Sequence, residues 1–188
     1  KWKFKKKHSD ANYQIAIALG DPSGIGPEIT LKALGSLNLP KNLEPVLVGC
    51  RRNLEIVYKS LKSNQIELIA DPKNLNIYDM PAQETFTPGN PNSSNGEASF
   101  NWLTKATELV LNGKAKALVT APISKHIWHR AGHIYSGQTE RLGELAGVPN
   151  PSMLFTAVSP INGSRLITLL ATTHIPFKDV PITLTAEI

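Results

Sequence analysis

Apolar residues along this chain fall in short runs separated by stretches with helical spacing. QIAIALG (14–20), EPVLVG (44–49), IELIA (66–70), AKALVTAP (115–122) and RLITLLATT (165–173) have the length and composition of strands. RRNLEIVYKSLK (51–62) and the stretch after Gly96 read as helices. In the second, Leu103, Ala106, Leu109 and Val110 share one face, and Asn112-Gly113 closes the helix. Strands alternating with helices predict an α/β fold with a largely parallel sheet. TFTPGNPNSSN (85–95), rich in Pro, Asn and Ser, reads as a loop or a crossing segment between lobes. There is no internal repeat.

In such a sheet ligands gather where strands end and helices begin. GDPSGIGPEI (20–29) stands at one such point, directly after the first apolar run. Gly20, Gly24 and Gly26 allow close backbone approaches, and Pro27 and Glu28 suit the first turn of a helix. Such a turn could offer amide groups to an anion, or could be a tight connection and nothing more. It is not a dinucleotide fingerprint, because counting from Gly24 the third glycine position is Ile29.

VTAPISKHIWHRAGHIYSGQTERLGEL (119–145) is the second such point. A strand ends near Thr120, a helix carries Lys125, His126 and His129, and a loop delivers Gly137, Gln138, Thr139 and Glu140 into another helix. His126 and His129, three apart, with His133 nearby, raise the question of a metal. Lys125 and Arg130 would repel a cation, and a basic surface face accounts for the cluster equally. Gln138 and Thr139 suit hydrogen bonding to a phosphate or hydroxyl; Thr139 or Ser136 could equally be a simple helix cap. In THIPFKD, His174 follows the last apolar run at the expected carboxyl end of a strand. One histidine does not make a metal site, which needs three or more donors.

Charge narrows the function classes. The net charge is +5, but five lysines lie within the first seven residues. Removing those five from the 20 basic residues leaves 15, matched by 15 acidic ones. The basicity belongs to a tail, residues 1–14, and not to a nucleic-acid-binding face. KWKFKKK could touch an anionic membrane marginally, or be a solvated terminus. The single cysteine, Cys50, forms no internal disulfide, and no apolar run is long enough to span a membrane. A cytoplasmic location is the default expectation. Residue 1 is Lys, and the helix-like run at 184–187 has no stop signal. The expectation is therefore that residues 15–188 form an incomplete catalytic region of a longer, two-lobed protein.

GDPSGIGPEITLKAL, ALVTAPISK, GQTERLGEL and LATTHIPFKDV occur in this order in the 4-hydroxythreonine-4-phosphate dehydrogenase family of vitamin B6 biosynthesis, which the chain resembles from about Ile15 to its end. The resemblance implies a two-lobed fold like that of isocitrate and isopropylmalate dehydrogenases, incomplete here. It implies oxidation of 4-phosphooxy-L-threonine by NAD or NADP, then decarboxylation to 3-amino-2-oxopropyl phosphate, in a homodimer whose site is completed by the neighbouring subunit. It also implies a divalent metal (zinc, magnesium, manganese or cobalt) held by three histidines, acting as a Lewis acid. His174 matches the first of these; the other two, and the residues that clamp the substrate, would lie past Ile188. Gln138 and Thr139 match a substrate-contacting His-Thr pair. Gln138 keeps hydrogen-bonding capacity but cannot carry a proton charge, which puts acid–base chemistry there and the substrate itself in question. Lys125 matches a lysine near the cleft, suited to a phosphate contact or a surface ion pair. No catalytic or cofactor-binding residue is assigned. Alternatives are a dehydrogenase of threonate or erythronate 4-phosphate, and a non-catalytic remnant that binds a ligand or partner; taken alone, the chain is expected to be inactive.

Overall fold

A computed structural model describes residues 12–82, 86–173 and 175–185. The chain divides into two compact units, residues 1–138 and 139–188.

The first unit is built on a parallel sheet. Strands β1 (Tyr13–Ala18), β2 (Leu43–Gly49), β3 (Asn76–Asp79) and β4 (Ala117–Thr120) lie in the order β3-β2-β1-β4. Helix α1 (Gly26–Ser36) links β1 to β2, and α2 (Arg51–Ser63) precedes β3. The long α3 (Ser93–Leu111) carries the chain back to β4, and the short α4 (Lys125–Arg130) follows. α3 packs on β1, β2 and β4, α4 packs on α3, and α1 on α2. Ala16, Ala18, Leu19, Leu47, Val48, Leu54, Trp102, Leu103, Ala106, Ile127 and Trp128 form the core. Val46 to Cys50 are buried consecutively, as a strand covered on both faces requires.

α3 begins three residues before Gly96, so the expected loop ends at Asn92. The Asn92 side chain accepts from the Asn95 amide (3.0 Å) and the Asn95 side chain accepts from the Asn92 amide (3.3 Å), a reciprocal capping box. Gly96 lies where α3 meets α4: a Cβ there would stand 2.1 Å from the Ile127 carbonyl oxygen. Trp128 Nε1 donates to the buried Ser99 Oγ across the same junction (3.1 Å).

Three expectations are corrected here. Residues 66–70 are not a strand: Gln65 adopts φ 60°, the Ile66 amide closes α2 on the Leu61 carbonyl (3.1 Å), and the Ala70 amide reaches the Leu31 carbonyl on α1 (2.9 Å). The third strand is instead Asn76–Asp79. β1 begins at Tyr13, so the last residues assigned to the tail belong to the sheet. The run at 165–173 does not extend the parallel sheet.

In the second unit, α5 (Gln138–Ala146), which opens at the boundary, is followed by an antiparallel hairpin of β5 (Leu154–Val158) and β6 (Arg165–Leu169). Every residue of its two strands is exposed. A 3₁₀ turn, Phe177–Asp179, leads into α6 (Val180–Thr183). Leu184 is extended, which ends that helix before the run expected at 184–187, whose last two residues lie outside the described ones. Among the described residues no helix is long and apolar enough to cross a membrane.

Candidate functional site

Strand order decides where a ligand crevice opens. From β1 the chain moves outward through β2 to β3, then returns to place β4 on the other side of β1. Connections therefore diverge at the carboxyl ends of β1 and β4, the switch point where ligands bind in open parallel sheets. Both segments singled out in the sequence, GDPSGIGPEI and the one after Thr120, meet there.

The β1–α1 turn is a lock. Gly20 has φ +71°, and a Cβ on it would stand 2.2 Å from the Pro122 carbonyl oxygen, so only glycine fits. The Asp21 amide donates to that same carbonyl (2.9 Å), the Ser23 amide to Asp21 Oδ1 (2.9 Å), and the Gly24 amide to the Asp21 carbonyl (3.0 Å). Three further elements hold the turn from outside. Asn53 Nδ2 on α2 donates to the Pro22 carbonyl (3.2 Å), Asn95 Nδ2 on α3 to Ser23 Oγ, and the Gly89 amide to the Ser23 carbonyl (2.9 Å). Three amides that an anion would need are thus already committed, and the structural reading of this turn is the one supported. Burial pushes the Asp21 carboxyl above its ordinary range, against the opposing pull of the Ser23 and Gly24 amides.

β4 brings in the second segment. The Ala121 amide continues the ladder onto the Ala18 carbonyl (2.9 Å), and Gln138 Nε2 donates to the Ala121 carbonyl (3.2 Å). Gln138 therefore reaches the switch point, while its Oε1 is buried with no hydrogen-bond partner among the described residues. Thr139, next on α5, is half-buried. Glu140 Oε2 in the same helical turn is likewise buried without a partner among the described residues.

The three neighbouring histidines are not gathered on a metal. His129 Nε2 lies 3.0 Å from the Tyr135 carbonyl oxygen, and His133 Nε2 lies 2.7 Å from Glu97 Oε2. The His133 ring stacks on Phe100 with centroids 3.6 Å apart. Partial burial raises the Glu97 carboxyl, but bonds from His133 and Asn101 outweigh it, and the net displacement is downward. His126 and Lys125 are exposed, and no ion pair of Lys125 occurs among the described residues. Among the described residues no group of three or more His, Cys, Asp or Glu could hold a metal ion. His174, the expected metal ligand, lies outside the described residues. These residues therefore do not fit a complete metal centre, nor does the committed turn fit a dinucleotide cradle.

Sequence reasoning missed Asp21, Asn53, Asn95 and the Ala121 carbonyl. A signal for Asn95 was present: with Ser99 it puts polar side chains on the buried stripe of α3, and buried polar groups demand partners.

A family model described as pyridoxal phosphate biosynthetic protein PdxA matches residues 41–188. A 4-hydroxythreonine-4-phosphate dehydrogenase from Synechococcus sp. (strain RCC307) is 56% identical over 174 residues, covering 93% of this chain and 52% of the relative. The crystal structure of a 4-hydroxythreonine-4-phosphate dehydrogenase from Klebsiella pneumoniae superposes with TM-score 0.75 at 31% identity, over 92% of this chain and 55% of that one. One from Burkholderia phymatum gives TM-score 0.71 at 27% identity, over 90% and 52% respectively. The chain spans about half the length of the curated relatives it matches.

Proposed function

This chain belongs to the PdxA family of pyridoxal phosphate biosynthetic proteins, and on that premise we propose that the whole protein oxidises 4-phosphooxy-L-threonine with NAD or NADP. The C3 hydride passes to the nicotinamide and the hydroxyl proton is lost. The resulting β-keto acid releases carbon dioxide, giving 3-amino-2-oxopropyl phosphate. In this reading Gln138 and Thr139 contact the substrate, His174 is one ligand of a divalent metal, and the working form is a cytoplasmic homodimer.

The observation that carries the reading is the position of Gln138. Gln138 of the GQTER segment is bonded to the Ala121 carbonyl, one residue past β4 and beside the locked β1–α1 turn, where a parallel sheet offers its ligand crevice. The described residues supply orientation there: a rigid turn, a fixed strand end and one polar side chain. No proton transfer is assigned to them, since a carboxamide does not titrate and the Asp21 carboxylate is occupied by the Ser23 amide.

The test is reduction of NAD or NADP by the intact protein with 4-phosphooxy-L-threonine, in the presence of zinc, magnesium, manganese or cobalt. Reduction accompanied by carbon dioxide release is expected. If neither cofactor is reduced with any of the four metals, the assignment falls. The alternative substrates, threonate and erythronate 4-phosphate, differ by a hydroxyl in place of the amino group and are assayed alongside. A higher kcat/KM for either would transfer the assignment to acid-sugar phosphates.

A further inference from the structure

His133, in the connection between α4 and α5, binds α3 twice. Its Nε2 lies 2.7 Å from Glu97 Oε2, and its ring lies flat on Phe100, with centroids 3.6 Å apart and planes 3° from parallel. Both contacts favour the same ionisation state. A carboxylate attracts an imidazolium more strongly than a neutral imidazole. Two neutral rings prefer an offset or edge-on approach to a face-to-face sandwich, whereas a cation is drawn to the face of an aromatic ring. Trp128 and Tyr135 meet the same Phe100 edge-on and tilted, at 81° and 38°, so the flat stack belongs to the ring that can carry charge.

From this we infer that residues 131–137 form a pH-sensitive strap, held on α3 while His133 is charged and loosened as that charge is lost. The neutral ring keeps at most an uncharged N–H facing Glu97 and a neutral sandwich on Phe100. The strap leads directly into α5, whose first residue is bonded to the Ala121 carbonyl, so its hold bears on how that segment is placed.

On α3 the facing group is Glu97, whose Oε1 also accepts from Asn101 Nδ2 (2.8 Å). On α4, Lys125, His126 and Arg130 are exposed. His129 Nε2 lies 3.0 Å from the Tyr135 carbonyl oxygen, to which it can donate in either ionisation state. Tyr135, on the strap itself, carries a phenol, a group that stays neutral across the range in which histidine titrates. Partial burial raises the Glu97 carboxyl, but the bonds from His133 and Asn101 prevail and hold it below its ordinary range. Its half of the pair therefore persists as the pH falls through the ordinary carboxylate range, and histidine's loss of charge between about pH 5 and 8 sets the upper limit. The strap is tight in mild acid and looser in mild base.

The test is a double-mutant cycle on the full chain, with wild type, Glu97→Ala, His133→Ala and the double variant unfolded in urea at pH 5.5 and pH 8. The coupling should change the folding equilibrium by about fivefold at pH 5.5 and by less than about twofold at pH 8. Hydrogen exchange of the His133 amide, which donates to the Trp128 carbonyl (2.9 Å), reads the strap locally. Corrected for the intrinsic rate, its protection should fall about threefold from pH 5.5 to pH 8. Glu97→Gln keeps an acceptor and loses the charge, so it should abolish that fall, and His129→Gln should leave it intact. Equal coupling at the two pH values would reduce the pair to an ordinary hydrogen bond and overturn the inference. So would a fall in protection that persists in Glu97→Gln or disappears in His129→Gln, since control would then lie with another group.

Discussion

Replacing Gly96 by alanine sets two effects of opposite sign against each other, and the structure says which is larger. Gly96 is in the interior of the exposed-to-buried helix α3, where alanine is normally favoured over glycine by about 1 kcal/mol. Here the new methyl would lie 2.1 Å from the Ile127 carbonyl oxygen, 2.6 Å from the Ile127 carbonyl carbon and 3.1 Å from Ala131 Cβ. An ordinary carbon–oxygen contact is about 3.3 Å, so α3 and α4 would have to part by roughly 1 Å. The obstacle is main chain and cannot swing aside like a long side chain, which places the penalty toward the upper end of the usual overpacking range, about 3 kcal/mol. The net expectation is a loss of about 2 kcal/mol, or about 4–8 °C in Tm. Trp102 and Trp128 are both buried, so urea denaturation followed by tryptophan fluorescence reports on the unit that contains this junction. A Gly96→Ala variant as stable as the wild type, or more so, would refute the reasoning, because helix propensity would then have won.

Asp21→Asn keeps an acceptor for the Ser23 amide and removes a buried charge. Because the folded-state pKa is raised, the native state binds more protons than the unfolded chain between the two values, and ionised Asp21 weakens the fold above them. The variant should therefore gain stability relative to wild type at pH 7, a gain that vanishes as the pH falls below the ordinary carboxylate value. Melting curves at several pH values measure it, and a difference that does not vary with pH would remove the electrostatic explanation. Asn95→Ala strips the support of Ser23 and half of the capping box while leaving Ser23 Oγ buried. It should cost about 1–3 kcal/mol in chemical denaturation, and a loss within error of zero would show that the β1–α1 turn needs no anchor on α3.

The strands legible in the sequence were those whose apolar residues are buried by the fold itself. β1 and β2 place Ala16, Ala18, Leu47 and Val48 in the core, and their runs stand out for that reason. β3 was invisible because NIYD is a four-residue strand at the end of the sheet with only Ile77 partly covered. The competing run at 66–70 is more apolar, yet Leu68 is 70% exposed; its residues leave a helix through a left-handed turn, and that backbone conformation has no signature in hydrophobic spacing. β5 and β6 illustrate the opposite limit. Their composition suits strands, but periodicity is silent on direction, and the pairing is antiparallel, joined by a turn through Gly163 with φ +69°. At the candidate site, the motifs marked two segments that meet after the carboxyl ends of β1 and β4. What they could not supply was the identity of the partners, because the contacts that matter, Asp21 to Pro122 and Gln138 to Ala121, involve main-chain carbonyls that every residue possesses.

Ala121 and Pro122 are consecutive, and each lends its carbonyl to a different neighbour: one to the side chain of Gln138, the other to the amide of Asp21. The two carbonyls belong to successive peptide planes that meet at Pro122, whose ring fixes φ, so that only ψ of Pro122 adjusts the spacing between them. Main-chain geometry at Pro122 therefore governs that spacing, and side chains around it can drift in size without altering it. Insertions in the connection between α4 and α5 would change how Gln138 arrives, but not where it has to stop.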